Sequence, residues 1–218
     1  FSGKTVALML FFVLAFVSVG AYSYYNLKVL NQLEDGNYGQ KLNADAEKKY
    51  GKYIGQPHIQ VTDLKAFIDI FPEDRSVKAK GEFTVTNKFD TPIDTLLMNI
   101  GFPIADTKIT KVVYNGIELR PFLSDDAFRM FIYKLPTTLH PKDTASLVIE
   151  TKALTRGFSS DTETAVLTNG TFFRDAIFPS FHYERGLTDN GVRKKYDLEE
   201  LDYLYPPRTD SLALKTNL

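Results

Sequence analysis

A chain of 218 residues that is 44% hydrophobic, 24% charged and 13% aromatic holds enough apolar material for one ordinary domain with an anchor, or for two small domains. Its net charge of −1, with Lys and Arg scattered among Asp and Glu, gives no electrostatic case for nucleic acid as a partner. No cysteine is present, which excludes disulfide frameworks, thiolate zinc sites and cysteine nucleophiles.

In chain order the first signal is the strongest. Between Lys4 and Lys28 lie 23 uncharged residues, Thr5 to Leu27, almost purely apolar from Val6 to Val17. A helix needs about 20 such residues to cross the hydrocarbon layer of a bilayer. Tyr22, Tyr24 and Tyr25 stand at one end, where amphipathic rings favour the headgroup region. A buried core helix rarely runs so long with apolar residues on every face. A cleaved signal peptide fits less well, because the run exceeds the usual apolar core and only Val19-Gly20-Ala21 approaches a cleavage site. Residues 1–27 are therefore predicted to be a transmembrane helix, with the lipid bilayer as partner through Thr5 to Leu27. A start at Phe1 rather than Met reads as a fragment or a processed product.

Residues 28–56 are polar and mixed in charge, with Ala44 to Tyr53 able to form a short helix. This stretch is predicted to be a juxtamembrane stalk, partly helical. From residue 57 the period changes to two. Leu64, Ala66, Ile68 and Ile70 alternate with Lys65, Phe67 and Asp69, and residues 72–75 then break the run. Val77, Ala79, Phe83 and Val85 alternate more cleanly with Lys78, Lys80, Glu82 and Thr84, placing one face on a core and the other in water. After Thr91-Pro92 comes an apolar run from Ile93 to Phe102.

Asn115-Gly116, between Ile109–Tyr114 and Ile117–Leu119, can occupy the two positive φ positions of a hairpin turn. Phe128 to Leu135 reads as another strand, and residues 139–143 turn the chain into Thr144 to Leu154. Short strands at regular spacing without intervening helices predict a mostly β chain, an antiparallel β-sandwich over residues 57–210. The part after Arg156 is aromatic and irregular, with a helical turn predicted between Arg193 and Leu204. Residues 211–218 read as the start of a linker or strand leading to a further domain.

The chemistry-bearing residues are sparse. His58, His140 and His182 are the three histidines, and none has a second histidine three or four residues away to build a helical metal face. No Gly-x-Ser-x-Gly elbow or phosphate-binding glycine loop occurs. Asp125-Asp126 and Glu199-Glu200 are adjacent pairs whose side chains point apart on a strand or a helix, so a structural role is expected. His182 lies in the aromatic stretch 178–183. A satisfied, partly buried imidazole is its default reading, and a place at a ligand surface is the alternative. No catalytic residue and no metal ligand is assigned. Asn169-Gly170-Thr171 matches a glycosylation sequon, read here as a turn.

The order of features resembles a known family. Gln56 to Arg75, then Lys80-Gly81 and Thr86-Asn87-Lys88, resembles the opening of the gluzincin zinc aminopeptidases, the group containing aminopeptidase N. Leu139-His140-Pro141-Lys142-Asp143 is similar to that family's Leu-x-Pro-Gly-Asp turn. Phe172-Phe173-Arg174 followed by residues 178–183 is similar to the segment that closes its first domain. Residues 181–196 and 205–210 resemble a bacterial subgroup in which this domain follows an ABC-transporter-permease-like membrane region.

The resemblance implies an aminopeptidase-like N-terminal β-sandwich, non-catalytic, that docks on a downstream peptidase-like domain and shapes its cleft. It implies a β domain on the extracytoplasmic, periplasmic side of a bacterial plasma membrane, and transporter subunits as further partners. In the family, a polar side chain shortly before the closing segment lines the substrate's N-terminal pocket; here the matching positions lie near Asn169 and Thr171. The departures are informative. The zinc motif His-Glu-x-x-His and the Gly-x-Met-Glu-Asn motif are both absent, and residues 179–184 replace Pro-Cys-x-Asp-Glu-Pro. No cofactor is thus expected in this chain, with zinc confined to the downstream domain. A second reading is an extracytoplasmic binding or assembly module of an ABC-type permease without peptidase activity.

Overall fold

The computed structural model describes residues 2–30, 36–100, 107–158, 164–167, 170–173 and 177–202. Helix α1 (Gly3–Tyr24) starts at Ser2, whose hydroxyl accepts from the Lys4 amide, and runs on through a single π turn, Tyr25–Val29. None of α1 is buried by the protein. Gly3–Val29 is long and apolar enough to cross a membrane, by length and composition. Helix α2 (Gly36–Tyr50) follows and ends in one tight turn, Gly51–Tyr53.

The β region that comes next is antiparallel throughout. The first sheet contains β1 (Gln60–Phe71), β2 (Ser76–Thr86), β4 (Lys108–Tyr114), β5 (Ile117–Glu118) and β8 (Thr144–Leu154), ordered β1-β2-β8-β4-β5. The second contains β3 (Ile93–Asn99), β6 (Leu123–Asp125) and β7 (Met130–Leu139), ordered β3-β7-β6. A hairpin of β9 (Thr164–Leu167) and β10 (Gly170–Phe173) forms a separate two-stranded sheet that packs on Val77, Ala79 and Ala153 of the first sheet through Val166, and α3 (Asn190–Lys195) is the last described element. The Asn115-Gly116 turn joins β4 to β5 with φ of 46° and 83°, as that residue pair favours.

The two sheets pack face to face. Phe83, Val85, Leu147 and Ile149 of the first meet Leu96, Met98, Tyr133 and Leu135 of the second in one buried cluster. This is the antiparallel β-sandwich, preceded by one helix able to span a membrane. The second sheet is also covered on its other face, where Leu97, Met130 and Ile132 pack on Tyr50 of α2 and on Tyr183. Burial on both faces is why residues 93–100 read as a continuous apolar run rather than an alternating one.

Helix α2 does not stand free as a stalk. Ala44, Ala46 and Tyr50 are buried, and Glu47 takes a two-pronged ion pair from Arg193 of α3, at 2.8 and 2.9 Å. The Arg193 side chain is 1% exposed and also donates to the carbonyls of Leu187 and Glu199. Lys49 and the Tyr50 hydroxyl reach Asp125. The expected helix at Ala44 to Tyr53 is thus longer toward its N-terminus and is built into the domain, clamped by residues distant in sequence.

The N-terminal helix touches the sandwich at one corner. Gly157, with φ of 55°, lies so close to the π turn that a Cβ there would sit 2.3 Å from the Asn26 carbonyl oxygen. The rings of Tyr22 and Phe158 meet edge to face at 5.6 Å. The β1–β2 turn is tied to the same loop: the Thr155 amide donates to the Arg75 carbonyl and the Arg75 guanidinium to the Gly157 carbonyl, each at 2.9 Å.

Candidate functional site

The histidines converge where the chain enters the sandwich. Residues 54–58 leave the turn after α2 and lead into β1, with His58 Nδ1 3.0 Å from the Gln56 carbonyl oxygen. Ser180 pairs with Asn99 through two backbone hydrogen bonds of 2.9 Å, adding a short rung beside β3. The side chains that follow this rung diverge. Phe181 joins the core between the sheets, Tyr183 joins the cluster under α2, and His182 is left between them at the surface.

The imidazoles of His58 and His182 then lie 5.1 Å apart, centre to centre, inclined by 31°. Phe89 stands 5.1 Å from His58 on another side, and His182 Nε2 is 2.7 Å from Glu184 Oε1. The two imidazoles border a cleft of about 530 Å³ lined also by Tyr53, Pro57, Asp94 and Phe122. Burial pushes the His58 pKa below its ordinary value, and nearby His182 adds to the effect; the Gln56 carbonyl and Glu184 oppose it without reversing it. Burial, aided by Glu47 and opposed by Arg185, pushes the Tyr183 phenol up to about 12, so it stays neutral and cannot serve as a base near pH 7.

The pair can hold or pass a proton and can accept hydrogen bonds, but it is not a complete reacting centre. The Ser180 hydroxyl is spent on the carbonyls of Asn99 and His182. Among the described residues no three His, Cys, Asp or Glu side chains are grouped to hold a metal ion. Asp125 is occupied by Lys49 and Tyr50, whose hydrogen bonds outweigh the opposing effect of burial and leave its pKa below the usual carboxylate range. Its neighbour Asp126 borders a different cavity, of about 670 Å³, beside Arg120 and Arg129 at the edge of β4.

Of the sequence candidates, His182 lies in the cleft. Thr171 is on β10, opposite Val166, and Asn169 lies outside the described residues. The residue that sequence reasoning missed is His58. Helical spacing was the wrong ruler for it, since a strand entry and a distant loop bring the two rings together, and no local pattern links His58 in Gln56-Pro57-His58 to His182 in Ser180-Phe181-His182.

No family pattern and no curated protein matches the sequence. Among solved structures the chain is similar to an M1 zinc metallopeptidase from Deinococcus radiodurans, at 16% identity and a TM-score of 0.37, over 46% of this chain and 21% of that one. It is also similar to a mutant two-domain M1 zinc metallopeptidase bound to L-arginine, at 18% identity and a TM-score of 0.37, over 49% of this chain and 23% of that one. The chain thus spans under a quarter of the length of these enzymes.

Proposed function

We propose that this chain is the non-catalytic β-sandwich domain of a membrane-anchored zinc-metallopeptidase-like protein, docking through the rim of the His58–His182 cleft on a catalytic domain outside these residues. The observation that carries the reading is the rim itself. Phe122 is 65% exposed beside Tyr53, Pro57 and the two imidazoles, an apolar and aromatic surface of the kind that a partner domain covers. The ordered motifs from Gln56 to residue 210 support the same assignment.

The residues of this chain do not fit a zinc centre: the His-Glu-x-x-His motif is missing and no ligand trio forms among the described residues. A zinc ion that polarises a carbonyl and activates water would belong to the docked domain. The chain's own part is to orient that domain over the membrane and to border its cleft. The β domain would then face the periplasm of a bacterial cell, anchored by α1 in the plasma membrane.

Aminoacyl-arylamide hydrolysis, assayed on this chain alone and on the chain with its downstream region, tests the proposal. Activity is expected only in the longer protein, falling at least about tenfold with Phe122→Asp if the rim is desolvated in the docked state. Hydrolysis by the 218-residue chain alone overturns the proposal. An inactive longer protein that still assembles with transporter subunits would favour the permease module instead.

A further inference from the structure

The β1–β2 hairpin ends in an apolar tip that stays exposed among the described residues. Ile70 and Phe71 are 41% and 38% exposed, and Phe158 in the neighbouring loop is 44% exposed. We propose that this corner is a second membrane contact: Ile70, Phe71 and Pro72, together with Phe158, lie in the headgroup layer of the bilayer that α1 crosses. The inference rests on reading α1 as the anchor.

Its occupant follows from what the tip is tied to. Phe158 packs on Tyr22, near the end of the uncharged span, and Gly157 abuts Asn26, at its last turn, and Leu30, just beyond it. Arg75 is hydrogen-bonded to that same loop twice. The strand register puts Phe71, Ser76 and Leu154 in one row, so Phe71 lies only about 10 Å across the sheet from the strand end that meets the anchor. A surface this close to the exit point of a membrane helix faces lipid headgroups before it faces anything else. Aromatic rings favour that layer. The Lys78 ammonium, 5.3 Å from the centre of the Phe71 ring, is placed to reach phosphate oxygens while its stem lies along apolar surface. Edge-on insertion uses both faces of β1, which accounts for Ile70 and Phe71 being exposed on opposite sides of one strand.

The opposite end of the same sheet supplies a control. Ile117 is 52% exposed and pairs with Tyr114, which pairs with Leu147 of β8, about 23 Å along that strand from Leu154. The chain contains no tryptophan, so a single introduced indole is an unambiguous reporter. The full chain would be reconstituted in phosphatidylcholine–phosphatidylglycerol vesicles carrying quencher lipids labelled near the headgroup or at mid-chain. Phe71→Trp, Phe158→Trp, Ile117→Trp and, in α1, Phe12→Trp are compared.

Mid-chain quenching of Phe12→Trp establishes the anchor. Headgroup-label quenching of Phe71→Trp and Phe158→Trp, at least about twice that of Ile117→Trp, is expected from rings in the interfacial layer. With Phe12→Trp quenched, a Phe71→Trp signal no stronger than that of Ile117→Trp overturns the hairpin contact and leaves the anchor standing. A Phe71→Trp signal that turns blue only when the downstream region is present, without lipid quenching, also overturns it and assigns the tip to a domain interface. An unquenched Phe12→Trp removes the anchor and the proposal with it.

Discussion

Strands β1 and β3 are both rich in aliphatic residues, yet they are opposites in the folded chain. In β3, Leu96, Leu97 and Met98 are all buried, because one face meets the first sheet and the other meets α2. In β1 no residue is fully buried, and Phe67, Ile68, Ile70 and Phe71 are exposed on both faces. The backbone of β1 is held by a ladder to β2 that shifts register once, between Val61 and Asp63, and its charged residues Asp63, Lys65 and Asp69 discourage further strand pairing along the free edge. The difference teaches that apolar content alone does not define the core. In β3 it is spent on the core, whereas in β1 only Val61 and Leu64 pack against the core and Phe67, Ile68, Ile70 and Phe71 stay exposed among the described residues.

The contrast can be broken first at the clamp that covers β3. Glu47→Ala leaves the Arg193 guanidinium buried without its carboxylate and is expected to cost about 3–5 kcal/mol. Denaturant unfolding of the chain in detergent, followed by far-ultraviolet circular dichroism, would measure it; a loss below about 1 kcal/mol would mean that α2 is not needed to cover the second sheet.

A paired truncation sharpens the comparison at the next level. Met98→Ala should cost about 2–5 kcal/mol as a fully buried side chain, whereas Ile70→Ala should stay below about 1 kcal/mol because it opens no cavity. Equal losses in the same unfolding experiment would show that β1 is covered after all.

The smallest effect concerns where β1 begins. His58 has a pKa below its ordinary value of 6.5 in the folded chain, so folding favours the neutral imidazole. That contribution is fully present above about pH 6.5 and is lost as the pH falls through the lowered folded value. Stability should therefore decline on mild acidification, and His58→Gln should flatten that part of the profile. A profile unchanged by the substitution would detach His58 from the stability of the strand entry.

Periodicity made the strands legible and left their surroundings dark. Val77 to Val85 alternate with charged neighbours in sequence and do so in space. Ile68 and Ile70 alternate equally well but lie on an edge, because a period of two reports a strand and not what lies over it. Asn115-Gly116 announced its turn through the φ values it tolerates. The role of α2 was hidden because its clamp joins Glu47 to Arg193 across a long stretch of chain, which no local pattern announces. The cleft was half legible. The aromatic setting of His182 was visible, but its proximity to His58 depends on Ser180 docking beside Asn99, which no local pattern announces. Asn169 and Thr171 came from the family resemblance alone; Asn169 lies outside the described residues and Thr171 is placed only by its backbone on β10.

The close fit of Gly157 against Asn26 has a mechanical meaning. A long flexible tether would let the sandwich tumble above the membrane whatever the helix did. Here the corner of the sandwich is seated on the end of the helix, and β8 projects from that seat like a mast for roughly 35 Å. A tilt of about 10° in the bilayer would swing the far end by about 6 Å, a lever long enough to carry a change in lipid thickness or helix packing out to the Asn115-Gly116 turn.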